Sequence, residues 1–172
     1  MKVISREGDD GSTRTMRRGR LSKADLLIEV IGEIDETIAF LTWSFGQLKR
    51  SDFKPYLSHI LEDLTVMMTV LAGGEKDIFS TNRIQWLEDE IGKLAMSKQD
   101  VKEFILEWKH PGSIALNVSR TIIRRTERRL VRLAKENGVP SELLAYFNRL
   151  STLIFLIQLT VESDLPHQDN SY

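Results

Sequence analysis

The chain has 172 residues, enough for one domain with a real core, and sets 24 Lys+Arg against 25 Asp+Glu for a net charge of −1. Its 41% apolar and 28% charged residues describe a folded soluble domain, and the balanced charge excludes a general polyanion binder. The absence of cysteine excludes disulfides, thiolate metal ligands and a cysteine nucleophile, and fits a cytoplasmic location. MKVISREGDD lacks the apolar core of a signal peptide, and no apolar run reaches about 18 residues, so neither export nor a membrane span is expected.

Residues 1–22 form a polar arm containing SREGDDGSTRTMRRGRLS, which by composition alone is a loose tail. Inside it, Gly8-Asp9-Asp10-Gly11-Ser12-Thr13 can turn the backbone so that N–H groups face an anion, although the P-loop spacing is missing. Arg14, Arg17, Arg18, Arg20 and Lys23 follow, a pattern that suits phosphate and that a nucleic-acid arm would share.

Beyond the arm the periodicity is helical, and no alternation of polarity long enough for a strand occurs. A first helix is predicted from Asp25 to Lys49 on Leu27, Ile28, Ile31, Ile34, Ile38, Leu41 and Phe45, with Ser22 or Asp25 as its cap. Asp35 lies close to this apolar stripe and needs a cationic partner, for which the fourth helix is the obvious source, within the chain or between chains. A second helix is predicted from Pro55 to Leu71, stopped by Gly73-Gly74, and a third from Thr81 to Ala95. A connector holding Phe104, Ile105, Leu106, Trp108 and a Pro111-Gly112 turn leads to a fourth helix, Ser113–Asn137, and a fifth, Ser141–Glu162. The expected layout is an arm (1–22), a single all-α five-helix up-and-down bundle with ferritin-like packing (23–163) and a frayed tail (164–172).

The fourth helix carries the densest chemistry. RTIIRRTERRLVR holds six arginines, with Arg120, Arg124 and Arg128 stacked at i, i+4 and i+8, where like charges repel. Such a face requires anions, either carboxylates or the phosphates of a ligand. Glu107-x-x-His110 is half of a di-iron helix motif without its second copy, so no metal site is expected there. His59 and His167 read as isolated surface residues. Asn148-Arg149 is either a capped turn or an amide aimed at the site of the fourth-helix arginines. No serine–histidine–carboxylate set stands out, so nothing points to a nucleophilic side chain.

Four segments in order resemble the PduO-type ATP:cobalamin adenosyltransferases. SREGDDGSTRT (Ser5–Thr15) and RLSK (Arg20–Lys23) match the family's opening, Glu29–Glu36 matches its EAYGTVDE, Ser119–Arg129 its ARTxxRRAERR, and Tyr146–Phe155 its YLNRLSDxLF. The resemblance implies a homotrimer with active sites between subunits. It also implies transfer of the 5′-deoxyadenosyl group of ATP to the cobalt of cob(I)alamin, releasing triphosphate, with Mg²⁺ carried on the phosphates. It assigns Ser5, Arg6, Gly8, Asp9, Gly11, Thr13 and Lys23 to the nucleotide, with Arg124, Glu127 and Asn148 in the same site. Asp35 and Arg120 would form an ion pair across the subunit interface, and Phe104 would lie below the corrin. Among the catalytic groups it counts Arg124, Asn148 and Phe104. A reductase and an adenosylcobalamin-dependent enzyme are the further partners it implies; neither nucleic acid nor membrane is among them. The family's PGG is Glu107-Trp108-Lys109 here, its LHxAR histidine is Asn117, its NRLSD aspartate is Thr152 and its DELN asparagine is Ile38. A helical ATP-binding regulatory module without corrinoid chemistry is the alternative these departures suggest.

Overall fold

The computed structural model describes residues 6–96 and 107–164; Ser5, Phe104, His167 and most of the expected tail lie outside that range. Five α-helices follow a two-stranded ribbon: β1 (Ser12–Thr15), β2 (Gly19–Ser22), α1 (Leu26–Gly46), α2 (Lys54–Leu71), α3 (Asn82–Met96), α4 (Pro111–Asn137) and α5 (Ser141–Ser163). A single 3-10 turn, Lys76–Ile78, lies between α2 and α3.

The local causes are those of the sequence. Asp25 caps α1, its side chain accepting from the Leu27 amide. The expected Pro111-Gly112 turn is instead the first turn of α4. Proline suits the first helical position because its missing N–H has no partner there anyway, and the His110 ring nitrogen Nδ1 accepts from the Gly112 amide as the cap. Glu162, in the last turn of α5, accepts from the Lys109 and His110 amides at 2.8 and 3.1 Å, so α5 also fixes where α4 begins. Gly138, at φ +68, ends α4 in the left-handed conformation that its position requires.

α4 packs on α1 and α5, α1 on α2, and α5 on α3. The α1–α4 and α4–α5 pairs run antiparallel, as the buried contacts Thr37–Thr126, Ser44–Ser119 and Ser113–Gln158 show. Small hydroxyl residues along the α1–α4 seam let the two backbones approach closely. α5 is apolar on most of its circumference, and its hydropathy of 1.4 would suit a membrane helix; here Leu143, Tyr146, Phe147, Leu150, Leu153, Ile154 and Ile157 are fully buried in the bundle. α2 and α3 are bridged by polar side chains: Tyr56 donates to Glu90 at 2.7 Å, and Arg83 pairs with Asp63, whose side chain is wholly buried. His59 is not isolated. It stacks on Trp86 at 3.9 Å between centroids, with Nε2 3.6 Å from Asp63.

The ribbon corrects the expectation of a strandless arm. Its strands are four residues each, paired from Ser12↔Ser22 to Thr15↔Gly19. Gly19, at φ +73, closes a three-residue turn that is also tied by Thr15 Oγ1, which accepts from the Arg18 amide and donates to the Gly19 carbonyl.

Candidate active site

The arm folds into a tight loop turned by two glycines, with the Asp9 and Gly11 amides donating to the Arg6 and Gly8 carbonyls. Gly8 and Gly11 take φ +93 and +79, and a Cβ on Gly8 would lie 2.7 Å from the Ser12 carbonyl oxygen. Asp10 accepts from both the amide and the hydroxyl of Ser12, which hold its carboxyl below the ordinary aspartate value together with the nearby Arg20. Lys23 is bound to the loop twice: its amide donates to the Gly11 carbonyl at 2.8 Å and Nζ to the Gly8 carbonyl at 2.9 Å. Glu7, Gly8, Ser12, Thr13, Arg14 and Arg20 line a groove of about 320 Å³ here. Arg6, at φ +59, and Asp9 stand exposed at its edge. Gly8, Gly11, Thr13 and Lys23 are thus brought together.

On α4 the arginines divide into two sets. Arg125 pairs with Glu33 and Glu36, and Arg129 with Glu29 and Glu33, all on α1. Within the chain the carboxylates for this helix are Glu29, Glu33 and Glu36, which follow one another at i, i+4 and i+7 and so share the face of α1 turned to α4. Asp35 is exposed on another face and makes no ion pair among the described residues. Arg124 and Arg128 are exposed and likewise have no carboxylate partner among the described residues. Arg120 is half-buried. It donates to Asn117 at 2.8 Å and lies 5.9 Å from the Phe155 ring centroid, while its Nε is buried with no partner among the described residues. Burial and the neighbouring Arg124 charge lower its pKa.

Glu127 and Asn148 meet across α4 and α5, Asn148 Nδ2 donating to Glu127 Oε1 at 3.2 Å. Glu127 lies on α4 within one turn of both Arg124 and Arg128, and its bond to Asn148 brings that amide to the same stretch of the helix. Arg149, beside it, turns away to Glu88 on α3. His110 serves as the helix cap, and among the described residues no group of three or more His, Asp or Glu is placed to hold a metal ion. Trp108 packs edge-to-face with Phe155, centroids 6.4 Å apart, and Arg120 lies against the same Phe155 ring.

Glu33 gives the site a measurable pH signature. Burial pushes its carboxyl above the ordinary value of 4.5, against the pull of Arg129 and Arg125. A carboxyl raised on folding stabilises the fold below 4.5 and loses that contribution as the pH climbs through the raised folded value. Glu33→Gln, which stays neutral, should therefore gain stability relative to wild type as urea melts move from pH 4 to 7. A relative loss would mean that the two arginines outweigh burial.

A family model described as cobalamin adenosyltransferase matches residues 3–161. The chain belongs to this family. It is 29% identical to the corrinoid adenosyltransferase of Citrobacter freundii over 90% of this chain and 91% of that one. With the corrinoid adenosyltransferase of Bacillus subtilis it shares 30% identity over 90% of this chain and 83% of the relative. The PduO protein of Salmonella typhimurium is 30% identical over 99% of this chain, which spans 52% of that relative's length. Two solved structures of PduO-type enzymes from Lactobacillus reuteri superpose closely. One, a variant complexed with cobalamin and ATP, gives a TM-score of 0.81 at 28% identity, covering 91% of each chain. The other, complexed with ATP, gives 0.84 at 28% identity, covering 94% of each.

Proposed function

We propose that this cobalamin adenosyltransferase family member is an ATP:corrinoid adenosyltransferase. It moves the 5′-deoxyadenosyl group of ATP to the cobalt of cob(I)alamin. The observation that carries the reading is the family match over residues 3–161, with the glycine-turned loop and the Lys23 ammonium held together beside a groove. Cobalt(I) supplies the electron pair that forms the cobalt–carbon bond. The bond from C5′ to the phosphate oxygen breaks, and its pair leaves with triphosphate. No protein nucleophile is needed, and the side chains have two tasks, orientation and charge stabilisation.

Ser5, Arg6, Gly8, Asp9, Gly11 and Thr13 wrap the nucleotide in this reading, with Lys23 on its phosphates. The Gly8 carbonyl that now holds Lys23 Nζ keeps that ammonium next to the loop, and the exposed Arg124 has no internal carboxylate to satisfy first. Glu127 and Asn148, already hydrogen-bonded, complete the nucleotide side. Mg²⁺, carried on the phosphates rather than on a side-chain cluster, would neutralise charge on the departing triphosphate. Phe104 faces the corrinoid by family resemblance and lies outside the described residues.

The assembly in this reading is a homotrimer with sites between subunits. The exposed Asp35 and the unpartnered buried Nε of Arg120 support an ion pair between chains, and the exposed Trp43, Ile114 and Val118 give apolar surface for a second copy to cover. The lack of cysteine supports a cytoplasmic location. A reductase to supply cobalt(I) and an enzyme that uses adenosylcobalamin are the partner classes this chemistry calls for.

Anaerobic incubation with Mg²⁺-ATP and chemically reduced cob(I)alamin should yield a light-sensitive adenosylcobalamin spectrum and one triphosphate per product. ATP binding without any adenosylcobalamin would instead assign the chain to a nucleotide-sensing role.

A further inference from the structure

The turn that ends α2 is shaped around the arm. Gly73 has φ +102, and a Cβ there would lie 2.8 Å from Arg17 Cβ, 3.2 Å from the Arg17 amide nitrogen and 3.4 Å from its Cα. These are main-chain and Cβ atoms of the ribbon's turn, not the end of a flexible side chain. Any side chain at residue 73 must therefore lift the ribbon. The next residue, Gly74, is closely packed on its other side, where a Cβ would meet the Thr69 carbonyl oxygen at 2.7 Å, so the turn is crowded on both sides. The Arg17–Glu75 pair across this contact is 3.8 Å long with both side chains exposed, and it adds little holding power of its own. Shape holds the ribbon in place.

The ribbon transmits position. Its two strands are locked in register from Thr15↔Gly19, beside the seat, to Ser12↔Ser22, where the Gly8–Gly11 loop begins. Arg20 ties that far end to Asp10 at 2.9 Å, and Lys23 ties it to Gly8. A displacement at Arg17 is thus carried to the loop and to the Lys23 ammonium.

We infer that Gly73 is a positioning residue for the nucleotide: it seats the ribbon so that the loop and Lys23 stand in their binding arrangement before ATP arrives. This rests on the reading of the arm as the ATP site. The seat removes part of the ordering cost that a loose arm would impose on binding, because apparent affinity falls in proportion to the fraction of molecules in the competent arrangement.

The test compares Gly73→Ala with Gly138→Ala. Gly138 also ends a helix at positive φ, +68, but a Cβ there meets nothing within 4 Å, so it reports backbone strain without the seat. If the docked fraction falls to a tenth, Gly73→Ala raises the KM for ATP by about tenfold while kcat at saturating ATP and the KM for cob(I)alamin stay within about twofold. Trypsin should cut the exposed Arg14–Arg20 segment faster in ligand-free Gly73→Ala than in wild type or Gly138→Ala. Adding Arg17→Gly, which removes the opposing Cβ, should return both readouts toward wild type. Equal effects from the two glycine variants, or an unchanged KM and cleavage rate in Gly73→Ala, would overturn the inference. The trypsin comparison needs no substrate. A wild type inactive with ATP and cob(I)alamin would refute the proposed function, while the cleavage pattern would still report on the seat.

Discussion

Arg124→Ala should reduce turnover by about 10²- to 10³-fold while the midpoint of urea unfolding moves little. The expectation follows from how α4 divides its charge. Arg125 and Arg129 are engaged by Glu29, Glu33 and Glu36, whereas Arg124 is exposed and has no carboxylate among the described residues. Removing it deletes no internal pair, so the fold loses only a surface side chain, within about 0.5 kcal/mol. In the proposed reading the departing triphosphate, by contrast, loses a charge-assisted donor at the moment its negative charge is greatest. Single-turnover formation of adenosylcobalamin, measured beside equilibrium unfolding, separates the two effects. Comparable losses in rate and in stability would show that the arginine is structural.

Arg83→Leu should have the opposite profile, with a large loss of stability and a small effect on chemistry. The Asp63 side chain is completely buried on the inner face of α2, and Arg83 on α3 is its cation, with Glu62 3.6 Å away from the same guanidinium. The Tyr146 hydroxyl stands beside Asp63, and burial together with that carboxylate drives its pKa well above the ordinary tyrosine value. Removing the arginine leaves the buried carboxylate only His59, 3.6 Å away, as a neighbouring cation once protonated, and losing one partner of such a pair costs about 3–5 kcal/mol. Adding Asp63→Leu to Arg83→Leu should recover much of that loss, because the expense comes from the stranded charge rather than from the missing pair. Urea melts of both single variants and the double variant complete the cycle. A double variant no better than Arg83→Leu would place the cost in packing.

The helices were legible because each has an apolar stripe and marked ends. Asp25, Gly138 and the Gly73-Gly74 stop lie where the chain placed them; the ends at Leu71, Asn137 and Ser141 are as predicted and the others moved by one to three residues. Glu127 and Asn148, which the family resemblance put in one site, are hydrogen-bonded to each other across α4 and α5. Three features were harder to see. The ribbon escaped because four-residue strands with mostly exposed side chains leave no alternation to detect, and only Gly19 signals the turn. The carboxylates that pair with the arginine helix inside the chain, Glu29, Glu33 and Glu36, went unremarked, although their spacing mirrors Arg125 and Arg129 in an antiparallel neighbour. Asp63 went unremarked although it falls on the buried ridge of Ile60, Leu64 and Met67, where a carboxylate demands a cation. Contacts supplied by a second copy cannot be written into one chain's periodicity, since only the surface left uncovered records them.

The pairing of α1 carboxylates with α4 guanidiniums has a consequence for how far the protein's field extends. The six arginines and Lys135 of α4 are set against Glu127 and Glu136 on the same helix and Glu29, Glu33 and Glu36 on α1, which leaves only a small positive excess when the helix is viewed from a distance. At physiological salt the screening length is about 8 Å, so what remains of the potential is felt only by an anion already at the surface. Such a molecule does not draw phosphates from solution as a nucleic-acid binder does; it discriminates at contact. A crowded cell is full of RNA and free polyphosphate, and a short-ranged site spends little of its time occupied by the wrong anion.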